Sequence, residues 1–303
     1  MLWNIRDGSK SGALLKFFCG CISAALLFSV SCSSADPSKD VSEPAAETIS
    51  SEEAPLTPEA SLTTGPSPTP EIVDLSQYQE LPLPQLEPIA DGEEIALMHT
   101  SMGTIHLRFF PDYAPKAVQN FKTLAKSGYY DGVLFNHVIE NSMIYSGDPG
   151  DGTGGQSIWG QSFSPEASPY LHHIRGAVSM VIDENTYGQG SQFFIVVNSK
   201  LSDEVKTEIE SYRDKQNQVV AETTDGAKVP MAQIFPEKII DAYLEGGGIP
   251  GLDMTYGVFG QIFDGLDIAG NIASVPTSQE EDTKDEPLTD VVIEKIEFEQ
   301  YKA

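Results

Sequence analysis

The sequence predicts a mainly β domain, a closed barrel or a sandwich of eight short strands, carried behind an N-terminal export signal and a tether. Three observations predict it. Between residues 95 and 300 lie eight short runs that are apolar or alternate in polarity; few stretches there carry a helical period; and glycines recur between the runs where the chain must turn. Of 303 residues, 40% are hydrophobic, enough for a core, and 45 acids against 18 bases give a net charge of -27. Such a surface repels phosphate backbones, which argues against nucleic-acid binding.

Arg6, Lys10 and Lys16 lead into the apolar run 17–31, FFCGCISAALLFSVS. Fifteen residues are short for a membrane span and suit a signal-peptide core, so 1–31 reads as a signal peptide. Ser31 before Cys32 resembles a bacterial lipobox, although Ser29 stands where Leu is usual. Lipidation of Cys32 is the favoured reading, with plain secretion or an uncleaved anchor as alternatives. Each places the rest of the chain outside the cytoplasm, and the first holds it at the cell membrane through a lipid anchor. Cys19, Cys21 and Cys32 are the three cysteines, so the last 271 residues hold neither a disulfide nor a cysteine metal site. Residues 32–93 read as a disordered linker rich in Pro, Ser and Glu; 33–94 holds 10 of the 20 prolines and 14 acids against the single base Lys39. Such composition buries too little to offset ordering entropy and favours an extended chain. The run Pro82-Leu83-Pro84 can alternatively dock on the domain's own surface.

The domain is read as 94–303. IALMHT (95–100) and TIHLRFF (104–110) form a hairpin about Ser101-Met102-Gly103. Residues 112–128 form a helix, with Pro115 in its first turn, Val118, Phe121 and Leu124 on one side and Gly128 at its end. Further strands are VLFNHVI (133–139), SMIYS (142–146), AVSMVI (177–182), QFFIVVN (192–198), GVFGQIF (257–263) and VVIEKIEFEQ (291–300). Residues 202–248 interrupt this series as a mildly acidic insertion. Leu201–Lys215 is helix-compatible, 216–230 is loop-like, and Pro236 opens a second helix with Ile239, Ile240, Tyr243 and Leu244 as its apolar stripe.

Long motifs in this order resemble the cyclophilins. They are MGTIHLRFFPDYAPKAVQNFKTLAKSGYYDGVLFNHVI (102–139), SGDPGDGTGGQSIWG (146–160), GAVSM (176–180), GSQFFIVV (190–197) and GVFGQIFDGLDIAGNI (257–272). The resemblance implies an eight-stranded closed antiparallel barrel capped by two helices, near 114–127 and 265–273, with 202–248 as a helical insertion. It implies peptidyl-prolyl cis-trans isomerisation, proline-containing peptides or unfolded secreted proteins as partners, a role in assisting protein folding, and a monomer. The barrier of that reaction is the double-bond character of C–N, and no bond is broken. The catalyst needs an apolar seat for the ring and a donor aimed at the twisted nitrogen, so no cofactor and no metal is called for.

In the family an arginine after Phe-His is the donor. Here the stretch reads Phe135-Asn136-His137, so His137 stands in the donor position. A neutral imidazole offers one donor where guanidinium offers five, a handicap of roughly 10²–10³ in rate by analogy with a lost transition-state donor. Gln192 matches the glutamine that contacts substrate backbone; His137 and Gln192 are the catalytic candidates. Phe135, Met143, Phe194 and Leu252 match the substrate pocket, and Tyr256 stands in place of a histidine. Ser142 replaces Phe, Tyr145 replaces Gln, and Gly251 replaces an aromatic residue, usually Trp. Val181 and Ile182 replace Ala and Asn. These changes keep a second reading open: a barrel that binds peptide and has lost the chemistry. An open groove shared by His137, Gln192 and Phe194 favours the enzyme; Tyr145 or the insertion filling it favours the binding module. The glycine-rich GDGTGG (150–155) has no following Lys-Ser/Thr and reads as a structural loop, and adjacent His172 and His173 do not make a ligand set alone.

Overall fold

The computed structural model describes residues 2–5, 13–17, 70–150, 155–183 and 186–303. Its strands are β1 (Leu2–Ile5), β2 (Ala13–Phe17), β3 (Glu94–Thr100), β4 (Gly103–Phe109), β5 (Phe135–Ile139), β6 (Met143–Ser146), β7 (Ala177–Ile182), β8 (Gln189–Val196), β9 (Val219–Thr223), β10 (Lys228–Pro230), β11 (Val258–Asp264) and β12 (Ile293–Gln300). Its helices are α1 (Pro115–Lys126), α2 (Asp203–Ser211), α3 (Glu237–Gly246) and α4 (Leu266–Ile272).

Eight strands make one antiparallel sheet in the order β12-β3-β4-β11-β7-β8-β6-β5. The sheet curls, but the expected closed barrel is not completed by a ladder: β5 and β12 remain its edge strands. The chain just ahead of them meets at one bridge, Leu134 opposite Val292, flanked by Phe135 N–H to the Val291 carbonyl (2.8 Å) and Ile293 N–H to the Val133 carbonyl (2.8 Å). These bonds occupy groups that an open edge would leave unpaired.

The curl encloses the core. Phe121 on α1 is its hub, with ring centroids of Phe109, Tyr130, Phe193 and Phe259 at 5.2–5.8 Å. α1 forms where Pro115 supplies a helical φ at the first turn, and Ala117, Val118, Phe121, Leu124 and Ala125 fall on its buried side. The Glu166 carboxylate accepts from the Lys116 and Ala117 N–H groups (2.8 and 3.1 Å), putting negative charge at the positive end of the helix. α4 packs Ala269 and Ile272 against the same cluster. Both expected capping helices are therefore present.

The insertion differs from its sequence reading in one part. α2 and α3 are found, but 216–230 is not a loop: β9 and β10 pair antiparallel there. A second sheet runs β1-β2-β9-β10. The segment read as an export signal enters the described structure only as β1 and β2; the apolar residues 18–31, Cys32 and the linker through 69 lie outside the described residues. Residues 70–93, read as the disordered end of that linker, instead form a strap on the domain. Leu83 is buried among Ile174, Leu201, Ile209, Ile239, Ile240 and Tyr243, so the Pro82–Pro84 run docks. Gln85 brackets His172, accepting from its N–H (2.6 Å) and donating to its carbonyl (2.8 Å). Buried Arg108 on β4 ties the strap down through Glu93 (3.0 and 3.1 Å) and the carbonyls of Pro84 and Glu87 (3.0 and 2.7 Å). The strap stays in place through the apolar contacts of Leu81 and Leu83 and because buried polar groups of the body need its carbonyls and carboxylate.

Candidate active site

Side chains on a strand alternate between faces, so Phe193 and Ile195 enter the core while Gln192, Phe194 and Val196 point to the outer face of β8. β6 lies beside it with Met143 opposite Val196 and Tyr145 opposite Phe194. On the other flank, β7 places Ser179 opposite Phe194 and adds Ala177 and Val181. The segment 249–256 folds over this face through a 3₁₀ turn, Pro250–Leu252, and brings Leu252 and Tyr256 onto Phe194. The Tyr256 and Phe194 rings meet edge to face at 5.5 Å. Half-buried Met143, Tyr145, Leu252 and Tyr256 thus form one apolar patch over Phe194, which is itself 2% exposed.

His137 reaches this patch through a β-bulge. Phe135 pairs with Ser146 and His137 with Tyr145, so one residue of β5, Asn136, has no opposite number. The bulge lets Phe135 and Val138 both point inward while Asn136 and His137 point out. Phe135 is therefore not a pocket residue: it is 1% exposed, within the core enclosed by the sheet. The His137 ring meets Tyr145 edge-on at 5.2 Å, and Tyr145 meets Phe194 at 5.7 Å. Tyr145 is the ring that joins the imidazole to the patch. Its hydroxyl donates to the Met143 Sδ (2.8 Å), and burial, with the Tyr256 phenol nearby, pushes its pKa up to about 12.

Gln192 borders the patch and donates through Nε2 to Asp148 Oδ2 at 3.2 Å. Beyond it opens a cavity of about 420 Å³, lined among others by Gln156, Ser162, Val181, Thr186, Gln189 and Gln192. The apolar patch and this more polar cavity share Val181 and Gln192 as their boundary. A Cβ added at Gly251 would meet nothing within 4 Å, so the place of the family's aromatic ring is open space beside Leu252.

Beneath the patch lies a buried network that sequence reasoning missed. Asp253 Oδ1 accepts from the His173 backbone N–H (2.7 Å) and Nδ1 (2.8 Å); Oδ2 accepts from His172 Nδ1 (2.8 Å) and the Tyr243 hydroxyl (2.7 Å). Burial alone would raise this carboxyl, but the hydrogen bonds and charge of His172 and His173 outweigh it and hold Asp253 well below the ordinary carboxylate range. His173 stacks on Phe194 at 6.0 Å, and its Nε2 lies 3.0 Å from Ser179 Oγ. The order Ser179-His173-Asp253 is that of a hydrolase triad. Ser179 is fully buried, so no carbonyl can reach it, and the chain of bonds acts as a strut. The adjacent histidines share the carboxylate of a residue about eighty positions away, a pairing that no local sequence signal announces. Among the described residues no group of three or more His, Cys, Asp or Glu is arranged to hold a metal ion.

A curled antiparallel sheet of eight strands, with a bulged edge strand, an apolar outer patch and two helices packed on its core, is the frame of the cyclophilin class. The chain belongs to the cyclophilin type peptidyl-prolyl cis-trans isomerase family, whose model matches residues 95–298. It is 39% identical over 219 residues to a protein of Staphylococcus aureus named "Putative peptidyl-prolyl cis-trans isomerase", covering 72% of this chain and 98% of that one. A protein of the same name from Staphylococcus saprophyticus is 38% identical over 217 residues, covering 71% and 97%. Among solved structures, a cyclophilin type peptidyl-prolyl cis-trans isomerase of Cryptosporidium parvum, crystallised in the presence of the dipeptide Ala-Pro, aligns with a TM-score of 0.48 and 24% identity over 68% of this chain and 99% of that one.

Proposed function

We propose that this member of the family isomerises Xaa-Pro bonds in exported polypeptides on the outer side of a cell membrane, where a lipid on Cys32 holds it and where it assists their folding. The observation that carries the reading is the patch of Met143, Phe194, Leu252 and Tyr256, flanked by Gln192 and by polar donors at Tyr145 and His137. The patch offers a proline ring an apolar seat. Gln192 is placed to bind the backbone beside it, and the open space over Gly251 leaves room for the chain. Location is supported by the basic lead, the 15-residue apolar run and Ser31-Cys32. Proline isomerisation takes about 10–100 s unaided, slow enough to limit the folding of a chain that needs it.

A second reading, a peptide-binding module without turnover, is favoured by one observation: the Tyr145 ring stands against Phe194, where a proline ring would seek contact. A protease-coupled assay over a panel of Xaa-Pro peptides separates the two. Isomerisation above background supports the enzyme; binding of the same peptides with rates at background supports the module. Cys32→Ala is expected to shift the protein from the membrane to the soluble fraction, and retention at the membrane would remove the anchor.

A further inference from the structure

We propose that the hydroxyl of Tyr145, rather than the imidazole of His137, is the donor that stabilises the twisted prolyl nitrogen. The inference rests on the isomerase reading and names its catalytic group. Isomerisation breaks no bond: as the C–N bond loses its double-bond character, the nitrogen becomes pyramidal and its lone pair becomes a hydrogen-bond acceptor. The group that meets it must lie at the apolar seat, carry a proton at neutral pH and be free to leave its resting partner. Tyr145 meets each condition. Its ring is packed against Phe194 at 5.7 Å, in the middle of the patch, and its strand partner across the ladder is that same residue. Its hydroxyl rests on the Met143 sulfur at 2.8 Å, and it has no other hydrogen-bond partner among the described residues. A thioether is a weak acceptor, so exchanging it for an amine-like lone pair gives up little. Burial and the nearby Tyr256 phenol keep the proton on the oxygen throughout the physiological range. His137, by contrast, packs edge-on against the Tyr145 ring and is linked to Phe194 through it. In the reaction the phenol turns from Met143 to the nitrogen, donates while the bond is twisted, and returns; no proton is transferred.

The test is kinetic. Tyr145→Phe removes one oxygen and keeps the ring, so the contacts with Phe194 and His137 survive. It is expected to lower kcat by about ten-fold with KM within two-fold, the pattern of a neutral donor bond made only in the transition state. Tyr145→Gln, which returns a donor at the same place, recovers part of the loss. His137→Ala is assayed beside them. An unchanged kcat in Tyr145→Phe overturns the proposal, as does a raised KM at constant kcat, which would make the phenol part of the seat alone. If Tyr145→Phe does not fold, Tyr145→Gln and Tyr145→Leu, similar in size, are compared with each other: a higher kcat in the glutamine variant, which keeps a donor, supports the proposal, and equal kcat overturns it. Wild-type protein at background rate fails the isomerase reading itself and the donor with it; an active wild type with an undiminished Tyr145→Phe fails the donor alone.

Discussion

Asp253→Asn is the sharpest probe of the strut beneath the site. The substitution keeps the shape and removes the charge. At present two oxygens accept four bonds of 2.7–2.8 Å, from His173 twice, His172 and Tyr243. An asparagine oxygen can still face His173, but its amide then points N–H groups at His172 Nδ1 and the Tyr243 oxygen, so both must give up donating, and the neutral side chain no longer balances charge on the buried imidazoles. Breaking one partner of a buried charged network costs about 3–5 kcal/mol, a large share of a domain's total of roughly 5–15 kcal/mol. For a domain of this size that is a fall in Tm of about 6–20 °C. The pH dependence adds a second signature. The native carboxyl lies below its unfolded value, so its contribution is complete above the unfolded carboxylate range and is lost as pH falls through the native pKa. The gap between wild type and Asp253→Asn is therefore expected to narrow as pH falls below about 4. Urea melts of both proteins at pH 5, 4 and 3 measure it. A gap under about 1 kcal/mol at pH 5, or one that widens between pH 5 and 3, would refute the reasoning.

Other outcomes follow from the same geometry. His137→Arg puts a permanently charged donor on the β5 bulge and is expected to raise kcat/KM by at least about ten-fold; a protease-coupled assay showing no gain would mean the bulge aims residue 137 away from the bound bond. Leu83→Ala leaves a hole between the strap and the insertion, costs about 2 kcal/mol or more, and should make the strap a site of early cleavage in limited proteolysis. Gly147 has φ +92, and a Cβ there would lie 2.5 Å from the Ser191 carbonyl oxygen. Gly147→Ala should destabilise the fold by about 2 kcal/mol or more and disturb the neighbouring Asp148–Gln192 pair, measured by urea melts and peptide affinity.

The eight sheet strands and the two helices on the core were legible because each carries its own period or cap, as Pro115 and Gly128 do for α1. Met143, Phe194, Leu252 and Tyr256 were singled out through their match to the family's motifs, and the structure gathers them with Tyr145 in one apolar cluster. Phe135 was misplaced for a physical reason. In a regular strand 135 and 137 share a face, and only the bulge at Asn136 separates them. The β9–β10 hairpin carries an Asp225-Gly226 turn between VVAET and KVP, a signal overshadowed by the polar residues around it. The strap escaped because it holds on by polar bonds to Arg108 and His172 rather than by an apolar period of its own. Asp253 was silent because its partners come from two other stretches of chain, His172-His173 and Tyr243.

The strap also changes where the smallest self-sufficient fragment begins. A chain trimmed to residue 95, where the family match starts, would strip Arg108, 8% exposed beneath the strap, of Glu93 and of the Pro84 and Glu87 carbonyls, leaving its guanidinium without the partners that hold it. It would also uncover the apolar floor under Leu83 and free the His172 backbone from Gln85. Expression from about residue 70 keeps those groups satisfied; the shorter version invites aggregation, although every strand and helix of the family fold would be present in it.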